Sequence, residues 1–163
     1  MFTVEQQLVN IILTHKDALI RQVCTRLEKL DQSHYEVIPY ERHLEREEAL
    51  LAALLQGLQE PEYTVFMAFI ERIGGQRSNE GYALFEVQRA LNIFEEELWR
   101  ILTSTQPVDG DLVAMLSLCN RLFGRAKDHL AKIYHHQRQN VQSELDDLRE
   151  KFQRYYPEQK SYR

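Results

Sequence analysis

Apolar residues recur every three or four positions along almost the whole chain, and they group into five helical runs. In the first, Val4, Leu8, Ile11, Ile12, Leu19, Val23, Leu27 and Leu30 share one face. Thr3 with Gln6 three residues on fits a capping box, which would satisfy free amides at the helix start. Asp31-Gln32-Ser33 ends the run, and Pro39 marks the next boundary because the residue before a proline avoids the α region. A second helix from about Tyr40 to Leu58 carries Leu44, Leu51, Leu54, Leu55 and Leu58. Its charged opening, Glu45-Arg46-Glu47-Glu48, reads as a solvated face. Gly57 and Pro61 then fit a helix stop followed by a new first-turn proline.

The third run holds Val65, Phe66, Phe69, Ile70 and Ile73, and Gly74-Gly75 permits a bend or a terminus. Gln76 to Tyr82 is polar and reads as a connector. A fourth helix follows to about Leu102, lined by Leu84, Val87, Leu91, Phe94, Leu98, Ile101 and Leu102, with Trp99 near its end. Pro107-Val108-Asp109-Gly110-Asp111 is the clearest loop, and Asp109 or Asp111 can cap the next element.

That element contains no proline before Pro157. Gly124 costs it roughly 1 kcal/mol against alanine without ending it. A helix from about Asp111 to Tyr155 would be ~68 Å long. A globule of this size has a radius of gyration of only ~15 Å, so the helix must project from it or pair with another chain. Leu112, Leu116, Cys119, Phe123, Ala126, Leu130 and Ile133 alternate spacings of four and three. Two successive fours, from Ile133 to Gln137 and on to Val141, then shift the phase as a coiled-coil stutter does. Beyond lies a narrow seam of Val141, Leu145, Leu148, Phe152 and Tyr155 flanked by charges, as a two-helix contact requires. The expected division is an all-α sensory domain over 1–134 and a coiled-coil linker over 135–163. The expected assembly is a homodimer through Ile133, Gln137, Val141, Leu145, Leu148 and Phe152.

Composition supports long helices. Only 6 Gly and 4 Pro occur, with 44% hydrophobic and 28% charged residues, the profile of a globular all-α protein. A formal charge of -5 gives no electrostatic case for nucleic acid or an anionic membrane. No apolar run approaches the ~20 residues that span a bilayer. Cys24 and Cys119 lie on apolar faces and read as buried free thiols in a reducing compartment. A cytoplasmic location is expected.

Candidate chemistry is sparse. His135 and His136 are adjacent, so on a helix they point about 100° apart and cannot clasp one ion; no metal site is expected. His15 reads as a partly buried, hydrogen-bonded core histidine, and no Cys-x-x-Cys-His or other axial-ligand signal supports haem. His129-Leu130-Ala131-Lys132 matches the His-x-x-Lys of histidine phosphotransfer domains, with Ile133 where a glycine is common. No phosphate loop, nucleophile elbow or catalytic triad is recognisable, so neither an enzyme nor a cofactor is expected.

The stretch "RIGGQRSNEGYALFEVQRALNIFEEELWRIL", Arg72 to Leu102, together with the upstream "REEALLAALLQGL", resembles the N-terminal domain of the bacterial RsbT co-antagonist family. The marks are an acidic Leu-rich helix, an apolar helix ending in Arg, a polar gap with Gly and a helix closing in Trp. In this chain they fall on Arg77, Gly81, Leu84, Val87, Leu91 and Trp99, and the similarity covers roughly Arg46 to Tyr134. The resemblance implies an all-α regulatory domain, bundle-like or globin-like, that needs no haem and passes a signal through its last helix. It also implies a regulatory protein partner, such as a STAS protein or a kinase, with an unidentified small-molecule ligand. No STAS, PAS or kinase domain follows before Arg163, so a stand-alone sensor and a piece cut after the signalling helix both stay open. Two other readings compete: a phosphotransfer protein using His129 with Lys132 beside it, and a haem-binding globin-like sensor.

Overall fold

The computed structural model describes residues 1–105 and 111–156. Five α-helices occupy most of them: α1 (Val4–Glu28), α2 (Tyr40–Gly57), α3 (Thr64–Asn79), α4 (Leu84–Thr105) and α5 (Leu112–Tyr155). They close into a ring: α1 packs between α2 and α4, α5 between α3 and α4, and α2 against α3. Each helix thus turns one apolar stripe inward, and a helical bundle results. Phe66 of α3, Phe94 of α4 and Phe123 of α5 meet at its centre, with ring centroids 5.9 Å apart for Phe66–Phe123 and 5.8 Å for Phe94–Phe123. Leu8, Ile12, Leu19 and Leu27 of α1 and Leu54 of α2 close the other side of this core.

Local chemistry sets the helix ends. The Thr3 hydroxyl accepts from the Gln6 N–H and the Gln6 side chain accepts from the Thr3 N–H, so the capping box forms as expected. Pro39 stands at the start of α2, and Gly57 closes it. A single turn over Pro61–Tyr63 leads into α3, with Glu62 and Tyr63 both in the left-handed region. For non-glycine residues this costs on the order of 1–3 kcal/mol each.

Two expectations about helix ends are corrected. Gly74-Gly75 neither bends nor ends α3, which runs on to Asn79, and the connector shortens to 80–83. A Schellman motif closes the helix instead. The Gly81 N–H donates to the Ser78 carbonyl and the Tyr82 N–H to the Arg77 carbonyl. Gly81 has φ +88°, which explains a glycine there. Asp111 occupies the N-cap position of α5, but its side chain caps nothing and accepts from Gln7 Nε2 at 2.9 Å, tying α5 to α1. The loop residues 107–110, including Asp109, lie outside the described residues. Helix α4 also outlasts its expected end, reaching Thr105.

Helix α5 is a single element over 44 residues. Met115, Leu118, Cys119, Leu122, Phe123, Ala126 and Leu130 are buried, Ile133, Tyr134 and Gln137 are half-buried, and every residue from Arg138 to Tyr156 is exposed. The helix therefore leaves the bundle where the apolar phase shifts. Cys24 and Cys119 are free and buried, and burial pushes each thiol up to about 12. No helix among the described residues is long and apolar enough to cross a membrane.

Candidate functional site

The densest unusual chemistry is a polar cluster under the α3–α4 connector. It draws Tyr35 from the α1–α2 loop, His43, Arg46 and Glu47 from α2, Arg77 from α3, and Tyr82 from the connector. Tyr82 is its hub. Its ring stacks on His34 at 4.7 Å and meets the edge of Tyr35 at 5.0 Å. The Arg46 and Arg77 guanidiniums lie 5.5 and 5.6 Å from its centroid, within cation–π range. Arg46 Nη1 donates to the Tyr82 hydroxyl at 2.8 Å. One carboxylate oxygen of Glu80 accepts from both arginines, at 3.3 Å from Arg46 and 3.2 Å from Arg77.

Two members are buried without full satisfaction. Glu47 is 6% exposed, and its Oε2 has no hydrogen-bond partner. Burial raises its carboxyl to about 8, against the opposing pull of Arg77 and Arg46. His43 is fully buried and neither ring nitrogen makes a hydrogen bond, while its ring stacks on Tyr35 at 6.3 Å. Burial lowers its basicity, although the nearby Tyr35 main chain pulls the other way. Burial also raises the Tyr35 phenol. Buried polar groups without partners are costly, so native proteins hold few of them.

This site corrects the reading of Glu45-Arg46-Glu47-Glu48 as a solvated face. Glu45 and Glu48 are exposed, but Glu47 is buried and Arg46 half-buried. A signal was available: His43 and Glu47 are four apart, and they lie seven residues ahead of the buried Leu50 and Leu54 respectively, so period 3.6 puts them on the apolar face.

The cluster reaches α5 through a main-chain contact. The Tyr134 hydroxyl donates to the Tyr82 carbonyl at 3.0 Å. Beside it α3 and α5 approach closely at Gly74, where an added Cβ would stand 2.8 Å from Leu130 Cδ2 and 3.2 Å from Ile133 Cδ1. At Gly75 a Cβ would lie 3.8 Å from Gln137 Nε2, an ordinary contact, so this position does not require glycine. Gly74 is thus the notch that seats Leu130 and Ile133 of α5 just before the helix exits. Glu86 lies in the first turn of α4. Burial works against its charge, yet the His34 N–H and ring and the Ala83 N–H together hold its carboxyl below the usual range.

Of the residues singled out in sequence, Arg77 and Gly81 belong to this site or its frame. Val87 and Leu91 are buried beside it, Leu84 is half-buried, and Trp99 is 39% exposed on the outer side of α4. His129 is half-buried, with Nε2 3.8 Å from the Glu71 carboxylate, and Lys132 is exposed. His15 is half-buried, while His135 and His136 are exposed. No group of three metal-ligating side chains occurs among the described residues.

Residues 17–149 match the family described as RsbT co-antagonist protein rsbRD N-terminal domain. The chain belongs to this family. The match extends well beyond the stretch that carries the resemblance in sequence, taking in part of α1 and the exposed part of α5 as far as Arg149. Neither a curated protein nor a solved structure shows a significant match. This RsbRD-type domain is a regulatory sensor module of signal transduction; the family is regulatory rather than enzymatic, and its members act through partner proteins.

Proposed function

We propose that this domain senses a ligand or a partner in its bundle and passes the result along a homodimeric α5 to an output domain or a partner protein in the cytoplasm. On this reading residues 1–134 form the sensory unit and the helix beyond it the linker. The observation that carries it is the exposed seam: Val141 is 56% exposed, Leu145 45%, Leu148 60% and Phe152 64%, spaced by four, three and four. Such a row matches a two-helix contact, since a narrow seam spaced four and three is what a coiled coil buries. Charged neighbours such as Glu144, Asp146, Asp147 and Arg149 would flank the contact. The partner would be a regulatory protein of the STAS or kinase type.

The Tyr134–Tyr82 hydrogen bond supplies a route between the two ends. A change in the cluster that moves Tyr82 alters the anchor of α5 one turn before its exit. The differential binding needed to bias such a two-state element is a few kcal/mol.

Truncation after Tyr134 tests the assembly. Sedimentation of the full chain should give a dimer and the truncated chain a monomer at the same concentration. A truncated chain that stays dimeric would place the interface on the bundle and end this reading.

A further inference from the structure

Between α2, α3 and α4 lies a small cavity of about 30 Å³, with Tyr35, Arg46, Glu47 and Arg77 as its polar lining and Leu50 and Leu91 among its apolar walls. Both guanidiniums are largely buried, with side chains 13% exposed for Arg46 and 9% for Arg77. They share one oxygen of a single carboxylate, that of Glu80, which is itself 42% exposed. The unpartnered Oε2 of Glu47 belongs to the same lining.

We infer that this cavity is a binding site for a small monoanion of one to three non-hydrogen atoms, such as chloride or formate, held between Arg77, Arg46 and the carboxyl of Glu47. Charge and donor count both favour it. Two guanidiniums against one shared carboxylate leave one positive charge in excess when Glu47 carries its proton. A buried uncompensated charge is costly, and a single bound anion removes it. Every polar group of the lining can then donate: two guanidiniums, a phenol and a protonated carboxyl. The volume admits only a species of this size, since one water needs ~10–15 Å³ on a comparable measure. Phosphate, sulfate and dicarboxylates are larger and carry more charge than the single positive charge left uncompensated.

Glu47 makes the binding pH-dependent. The charged groups facing it are Arg46 on its own helix and Arg77 on α3, with the Tyr35 phenol from the loop and the Cys24 thiol on α1 nearby. Its α4 neighbours in the cavity wall, Val87, Ala90 and Leu91, are apolar. Once Glu47 ionises, its own carboxylate takes the place of the anion, so binding draws in one proton. The apparent dissociation constant should therefore rise about tenfold per pH unit above about 8.

This inference extends beyond the sensor reading and does not require it, because binding is measured on the full chain whether or not α5 transmits anything. The test is thermal unfolding at fixed ionic strength, exchanging sodium gluconate for sodium chloride or sodium formate. At pH 6.5 a saturable rise in Tm with chloride, formate or both, and none with sulfate, is expected; which anion acts separates a spherical from a planar site. At pH 9.5 the wild type should lose at least tenfold in apparent affinity. Glu47→Gln, which keeps a donor but cannot ionise, should bind equally at both pH values. A bromide-soaked crystal should show its anomalous peak in this cavity. No anion-specific rise at pH 6.5, the same pH response in Glu47→Gln as in the wild type, or a bromide peak only elsewhere would each overturn the assignment and leave a water-filled cavity.

Discussion

The bundle is buried in two different ways. Around Phe66, Phe94 and Phe123 the interior is apolar. Between α2 and α3 the interior instead holds two arginines, a glutamate, a histidine and two tyrosines, some without partners. The first region gains from area removed from water, about 25 cal/mol per Å² of apolar surface. The second gains little net stability, because desolvation offsets most of the charge–charge attraction.

The largest break in this comparison should come from the apolar side. Phe123→Ala removes the ring common to both aromatic contacts at the centre and should cost about 3–5 kcal/mol in denaturant unfolding, with the same loss at pH 5 and pH 9. Glu47→Gln should do the reverse. The folded-state value of Glu47, about 8, lies above its ordinary 4.5. The native state therefore binds the proton more tightly between those values. The Glu47 contribution is full below about 4.5, declines as pH rises and is lost above about 8. Each tenfold difference in proton affinity between the folded and unfolded chain is worth ~1.4 kcal/mol. Glu47→Gln should therefore gain on the order of 3 kcal/mol relative to the wild type between pH 5 and pH 9. Equal pH slopes for the two proteins would show Glu47 to be solvated. His43 acts in the opposite sense, since a lowered basicity costs stability as pH falls below its ordinary 6.5, so Glu47→Gln should expose a residual acid-side loss.

Tyr82→Phe keeps the stacked ring and removes the hydroxyl that accepts from Arg46, a bond to a charged group worth about 1.5–3 kcal/mol. Tyr134→Phe removes the neutral bond to the Tyr82 carbonyl and should cost about 1 kcal/mol. A double-mutant cycle between the two should show non-additivity above about 0.5 kcal/mol if the cluster and α5 are coupled. Strict additivity would separate them. The smallest effect belongs to the seam. Leu145→Asn should leave the stability of the dilute monomer within about 0.5 kcal/mol, while raising the concentration at which sedimentation detects dimers.

The two regions were not equally legible in the sequence. The apolar centre follows from periodicity, so Leu8, Ile12, Val87, Phe94, Leu98 and Phe123 can be placed inside without knowing which helices touch. The exit of α5 is legible too, because the phase shift at Gln137 and the thinning of apolar positions are local features. The cluster is not. Its contacts join residues far apart in the chain: Arg46 with Tyr82, Tyr82 with Tyr134, and nearby His34 with Glu86. Helical spacing says which way a side chain faces, not what awaits it. The same limit hid the role of Gly74, which suggests a break to anyone reading along the chain and proves to be clearance for a neighbouring helix.

That clearance has a mechanical consequence. Beyond Gln137 the exposed helix runs about 27 Å to Tyr155, and its last close support is the contact at Gly74. The arm works as a lever with its fulcrum at the bundle surface. A tilt of roughly 5° there displaces the far end by about 2.4 Å, as large as the ~1–2 Å helix shifts that switch subunit interfaces. A rearrangement of a few tenths of an ångström around Tyr82 would thus reach the tip several times enlarged.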